Sequence, residues 1–191
     1  MTCFVCSTCG TQFGESAVEP ECCPVCEDER QYVGRGGQRW TTLDALRATH
    51  RNRIEPEADG LLGIGTEPDF AIGQRALLVR TPAGNVLWDC VPVLTEAGRE
   101  RLLELDGITA VAVSHPHFYT GIALFARSFG AQVLLHEADR QHVTHPDERI
   151  RFWRGETLEV LDGVTLIRAG GHFAGGTVLH WAAGADGAGA L

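Results

Sequence analysis

Beyond residue 60, apolar positions fall into short blocks that follow two different periods. Residues 61 to 81 hold two apolar segments around Pro68. Arg75 to Thr81 reads as a strand, and Val86 to Cys90 as the next. The turn-forming Pro82-Ala83-Gly84-Asn85 between them predicts a hairpin. Ala97 to Leu105 sets Leu102, Leu103 and Leu105 among charges, the mark of an amphipathic helix. Ile108 to Val113 is apolar throughout and predicts a buried strand. Gly121 to Ser128 predicts a helix that Gly130 ends. Gln132 to His136 predicts a strand and Glu137 to Val143 a further helix. Thr157 to Leu161 and Val164 to Ala169 flank Asp162-Gly163, a strong hairpin signal, and Thr177 to Trp181 is one more strand. The order is hairpin, helix, strand, helix, strand, helix, then strands, a mixed α+β pattern that suits two sheets flanked by helices.

Composition narrows the function classes. The chain has 191 residues, 44% of them hydrophobic, enough for one medium domain plus a small module. A net charge of -9 with no dense Lys/Arg cluster disfavours nucleic acid and anionic membranes, which need clustered cations. No stretch approaches the roughly 18 apolar residues of a membrane span. The N-terminus lacks the basic-then-apolar pattern of a signal peptide, so the expected location is the cytoplasm.

The cysteines change the picture of the first 35 residues. Six of the seven lie at or before Cys26. Cys6-x-x-Cys9 and Cys23-x-x-Cys26 have the spacing of two knuckles that present four thiolates to one ion. Cys3 and Cys22 leave a shifted ligand set open, and a redox Cys-x-x-Cys would instead sit at a helix start in a βαβ pattern, which is absent. So short a segment buries little core, and a structural zinc supplies its folding energy. A ribbon of this kind binds nucleic acid or protein, or braces a neighbour, and the acidic balance favours the last two. Residues 1–35 are read as this module. Residues 36–60 form a linker with a helix that starts at Thr41 or Thr42 and carries Asp44 in its first turn. Residues 61–191 form the larger domain.

Two motifs carry the chemistry. The apolar run ending at Val113 leads into Ser114-His115-Pro116-His117-Phe118-Tyr119-Thr120-Gly121. In extended backbone alternate side chains share a face, so His115 and His117 point the same way and can grip one metal. Gly170-Gly171-His172-Phe173-Ala174-Gly175-Gly176 offers a third His in a glycine-rich turn. Three His with an open fourth position form a catalytic metal geometry.

Together these motifs and the element order, over roughly residues 60 to 181, resemble the metallo-β-lactamase superfamily. The resemblance implies an αββα sandwich and a metal-dependent hydrolase acting on a small molecule. It also implies where this chain departs from the family. The first motif usually reads His-x-His-x-Asp-His, and here Tyr119 and Thr120 stand at the Asp and last His places. The first-site ligands His115, His117 and His172 are present; those of a second site largely are not. The family's later Asp and His have no counterpart before the Gly/Ala-rich tail, where Asp186 is the only late carboxylate, in a turn. The sandwich is therefore expected to be incomplete at its C-terminal end, through truncation or because a partner or neighbouring copy covers the exposed sheet.

Tyr119 either donates to a substrate oxyanion or packs over the metal loop. Asp89, ending a strand where the family often carries a supporting Asp, is expected to act behind the ligands. Thr120 is expected as a helix N-cap, and Cys90 as a small buried residue. His136, His142 and His145 are read as surface or hydrogen-bonding groups, His180 as structural, and His50 as part of the linker helix's solvated face.

Four functional readings follow. In the first, one Zn, Fe or Mn held by the three His activates water against an ester, thioester, lactone or similar carbonyl. In the second, the same fold is a non-catalytic binding or regulatory module holding only the structural zinc. A nucleic-acid-binding ribbon and an oxygen-using iron protein complete the set.

Overall fold

The structure is a computed structural model that describes residues 1–184, 187 and 189–191. Its elements run β1 (Phe4–Cys6), β2 (Trp40–Thr42), α1 (Leu43–Thr49), β3 (Arg51–Ala58), β4 (Leu61–Glu67), β5 (Ala76–Thr81), β6 (Gly84–Trp88), α2 (Glu96–Glu104) and β7 (Ala110–Ala112). They continue through α3 (Ile122–Phe129), β8 (Gln132–His136), β9 (Ile150–Trp153), β10 (Thr157–Leu161), β11 (Val164–Arg168), β12 (Thr177–Trp181) and β13 (Gly189–Ala190). Single 3-10 turns span Pro116–Phe118 and Glu137–His142.

β3 to β9 form one sheet in sequence order. The short connections up to β6 make antiparallel pairs, while α2 and α3 lie in the long crossovers that make β6, β7 and β8 parallel. β10 to β13 form a second, antiparallel sheet. The central strands β5 to β8 are buried on both faces over most of their length, which is why they read as apolar runs rather than clean alternations. On one face Leu78, Leu87, Val111, Val133 and Leu135 meet Leu102 of α2 and Ile122, Phe125 and Ala126 of α3. On the other, Val79, Val86, Trp88 and Ala112 meet Val164, Leu166, Leu179 and Trp181 of the second sheet. The layers are thus helix, sheet, sheet. Among the described residues no helix covers the outer face of the second sheet, where Ile167 and Val178 are exposed. Asp186 lies outside the described residues.

Some expectations need correction. Polar Arg51–Ala58, read as linker, is the edge strand β3, held by the ladder to β4 and an Arg51–Glu67 ion pair. Its charges suit an edge that must not recruit another strand. Glu137 to His142 winds as a 3-10 turn, not an α-helix. Thr120 does not cap α3. Gly121 does, with φ +63, and a Cβ there would lie 2.5 Å from the Val91 carbonyl oxygen. The predicted α1 cap does form: Thr42 Oγ1 accepts from the Ala45 amide.

The N-terminal module pairs β1 with β2 around the four cysteines, Val25, Phe13 and Trp40. Val5, Leu43 and Leu46 join it to Val93 and Leu124 of the larger domain.

Candidate metal centre

β7 stops at Ala112, so the two motif histidines do not share a strand. His115 precedes a proline and is held extended at φ -168, as sterics require. Pro116 then opens a 3-10 turn that swings His117 back towards His115, leaving their ring centroids 5.3 Å apart. Convergence comes from the turn, not from alternation. The third candidate ligand, His172, comes from the loop between β11 and β12. Gly170 and Gly171 take φ +67 and +90, backbone that suits glycine, and Gly176 sits so close to the Gly170 carbonyl that a Cβ would clash. The amides of Ala169 and Gly170 both donate to the Gly176 carbonyl, closing the loop. The Thr177 amide donates to the Ser114 carbonyl at 2.9 Å and ties the two ligand loops together.

His117 Nδ1 and His172 Nε2 lie 3.2 Å apart, and His115 offers a nitrogen to the same cluster, all within 4.8 Å. A tetrahedral ion with bonds of about 2.0–2.1 Å would hold its nitrogens roughly 3.4 Å apart. Two imidazole lone pairs cannot face each other without a proton or a cation between them. Burial, with the neighbouring His117 and His172 adding to it, lowers the His115 pKa to about 4. Burial also lowers that of His117. Both rings are therefore neutral at neutral pH, the form a metal needs. Phe173 is the floor, with its ring 4.6 to 5.8 Å from all three imidazoles. Beside His115 and His172 opens a recess of about 140 Å3, lined also by Ser114, Gly170, Thr177 and Val178.

Behind the ligands stands Asp89, buried and in left-handed backbone at φ +64. Its Oδ1 accepts from the Ser114 amide at 2.7 Å and the Ser114 hydroxyl at 2.8 Å. That hydroxyl lies 2.9 Å from His115 Nδ1. It has one proton, given to Asp89, so it accepts from Nδ1–H and leaves Nε2 of His115 free for a metal. Burial raises the Asp89 pKa to about 7, with the Ser114 bonds opposing.

The second centre is the cluster of Cys6, Cys9, Cys23 and Cys26, all buried. Cys6–Cys26 and Cys9–Cys23 sulfurs are 3.6 Å apart, close to the roughly 3.8 Å edge of a tetrahedron with 2.3 Å bonds. Cys3 bonds the Phe13 carbonyl and Cys22 is exposed, so the shifted ligand set does not form.

The remaining candidates separate. Tyr119 is buried, and burial together with the Asp139 carboxylate holds its phenol protonated well above the usual range. The Thr120 hydroxyl donates to the Gly10 carbonyl. Cys90 is buried in the core as expected. His136 packs edge-on to Trp153 and accepts from the Ala138 amide. His50 lies against Phe70. His145 and His180 are partly buried outside the cluster, while His142 packs on Phe173 at 5.1 Å, nearer the centre than expected. Sequence reasoning missed four residues that touch the ligand loops: Ser114, Gln74, Arg30 and Asp139. Asp139 Oδ1 accepts from the Gly175 amide at 2.9 Å. Only Ser114 carried a signal, its place beside the first His.

No protein-family model matches the chain. It is 45% identical over 190 residues to the uncharacterized protein YmaE of Bacillus subtilis (strain 168), covering 98% of this chain and 69% of that one. Among solved structures it is similar to a B3 metallo-β-lactamase with an active-site glutamic acid, at TM-score 0.51 and 21% identity, over 67% of this chain and 56% of that one. MEM-A1, a subclass B3 metallo-β-lactamase from a soil metagenome library, gives 0.52 and 20% over 68% and 57%. SMB-1, in complex with mercaptoacetic acid, gives 0.51 and 18% over 68% and 58%. The chain spans little more than half of each of these three structures, and the likeness concerns their fold. The chain belongs to the same family as B. subtilis YmaE, and its larger part has the metallo-β-lactamase fold.

Proposed function

We propose that this protein is a metal-dependent hydrolase of a small molecule, with one divalent ion held by His115, His117 and His172 and a structural zinc held by Cys6, Cys9, Cys23 and Cys26. The observation that carries the reading is the pair of facing nitrogens, His117 Nδ1 and His172 Nε2, 3.2 Å apart. A cation held by the three histidines would supply Lewis acidity suited to hydrolysis of an ester, thioester or similar carbonyl. Three imidazoles suit Zn or Fe better than Mn, which favours oxygen ligands. Asp89, through Ser114, keeps the His115 proton on Nδ1. Tyr119 is buried, keeps its phenol protonated and does not line the recess, so its position supports packing over the loop better than donation to an oxyanion. Seven free cysteines suit a reducing compartment and support a cytoplasmic location.

A second reading, a non-catalytic binding member of the fold, is favoured by one observation. The Thr120 hydroxyl is already committed to Gly10, and Tyr119 offers no carboxylate for a second ion. Metal analysis and a panel of ester, thioester and lactone substrates separate the two. Two metals per chain, one lost with hydrolysis in His115→Ala, supports the enzyme. A single metal, indifferent to that change, with no turnover, supports the binding module.

A further inference from the structure

The two centres are joined by side chains rather than by a linker. The buried amide of Gln74 donates to the Cys9 carbonyl at 2.5 Å and to the His117 carbonyl at 3.2 Å, so one group bridges a thiolate knuckle to a histidine ligand. A Cβ on Gly10 would come within 3.1 Å of that amide, so the knuckle can approach so closely because it ends in glycine. Thr120, three residues beyond His117, bonds the Gly10 carbonyl from the other side. The second knuckle reaches the other ligand loop. Just after Cys26, Arg30 donates to the His172 carbonyl and lies over the Phe173 ring at 4.8 Å. Asp28 fixes that guanidinium, accepting from its Nε at 2.6 Å. Each knuckle therefore holds one of the two loops that carry the three histidines.

We propose that the four-cysteine module is the clamp of the three-histidine centre, with Gln74 and Arg30 as positioning residues that set His117 and His172 at ligand distance. The proposal rests on the reading of the three histidines as a metal centre. Groups that orient metal ligands from behind typically change affinity roughly 10- to 100-fold when removed. Without Arg30 the His172 loop keeps its own closing bonds but loses its tie to the module.

The test is a cobalt(II) titration of full-length protein that keeps zinc in the four-cysteine centre and has had its histidine centre emptied by a mild chelator. The visible cobalt bands then read the histidine centre, and zinc analysis reads the four-cysteine one. Arg30→Ala is expected to weaken the second ion, the cobalt, roughly 10- to 100-fold while the first, the zinc, is retained. Gln74→Ala is expected to do the same, and Asp28→Asn to give a smaller loss. Arg30 is exposed, so its variant tests the clamp even if loss of buried Gln74 disturbs folding. Unchanged affinity for the second ion in Arg30→Ala and Asp28→Asn overturns the clamp and leaves the metal reading standing. A wild-type protein that keeps its zinc and takes up no cobalt, or cobalt that His115→Ala does not affect, overturns that reading and the clamp with it.

Discussion

Asp89 reaches His115 through a single hydroxyl. Ser114 gives its proton to the Asp89 carboxylate and receives one from the imidazole, so a residue at the end of β6 sets which nitrogen of a ligand beyond β7 carries its lone pair. Ser114→Ala is expected to remove that control and weaken ion binding at the histidine centre roughly 10-fold. The four-cysteine centre should be unaffected, which equilibrium dialysis followed by metal analysis would check.

Asp89 also gives the fold a pH signature. Its pKa is about 7 in the folded chain, against 3.8 for an ordinary Asp. Between those values the folded state holds more protons than the unfolded one, so the stability tied to Asp89 falls as pH rises through that window. Asp89→Asn has no proton to lose. Relative to wild type, the metal-free variant is expected to gain stability from pH 4 to 7, by at most about 4 kcal/mol. His115 contributes the opposite slope: with its folded pKa at about 4 against 6.5, its stability is lost as pH falls from about 6.5 towards 4. Because Ser114 links the two groups, His115→Ala in both backgrounds isolates the Asp89 term. Thermal melts across this range decide it.

Tyr119→Phe removes one hydroxyl from a buried ring and should leave metal content and melting temperature nearly unchanged. If the phenol donates to an oxyanion, kcat on a hydrolysed substrate is expected to fall roughly 100-fold. An unchanged kcat would mean that Tyr119 merely packs over the loop.

Gly121→Ala is expected to cost about 2–4 kcal/mol, because φ +63 strains any side chain and the new Cβ meets the Val91 carbonyl at 2.5 Å. Denaturant unfolding measures it. The variant should also bind the second ion less well, since Gly121 lies four residues from His117 at the head of α3.

Much of this was legible in the sequence. The cysteine spacing picked out the four thiols that cluster, and the His-x-His and glycine-rich motifs picked out the three imidazoles that do. The apolar runs gave most strands because those strands are buried on both faces. What was not legible has a physical cause in each case. Arg51–Ala58 has no apolar face because it lies at an edge and is held by its backbone ladder. The turn that brings His117 to His115 depends on Pro116, whose effect overrides strand alternation. Gln74, Arg30 and Asp139 lie 43, 142 and 36 residues from the groups they bond, and no local pattern marks such contacts. Thr120 looked like a cap because a helix follows, yet the adjacent glycine takes the capping place and frees the hydroxyl for Gly10.

The recess beside His115 and His172 has a consequence for size. At about 140 Å3 it is much smaller than the roughly 300–1,000 Å3 of a typical ligand cleft. Under the proposed hydrolase reading, a recess of that size would admit only the reacting end of a larger substrate and leave the rest against the surrounding surface. Discrimination inside the recess would therefore rest on the reacting end of a compound, while the surface beyond it reads the tail.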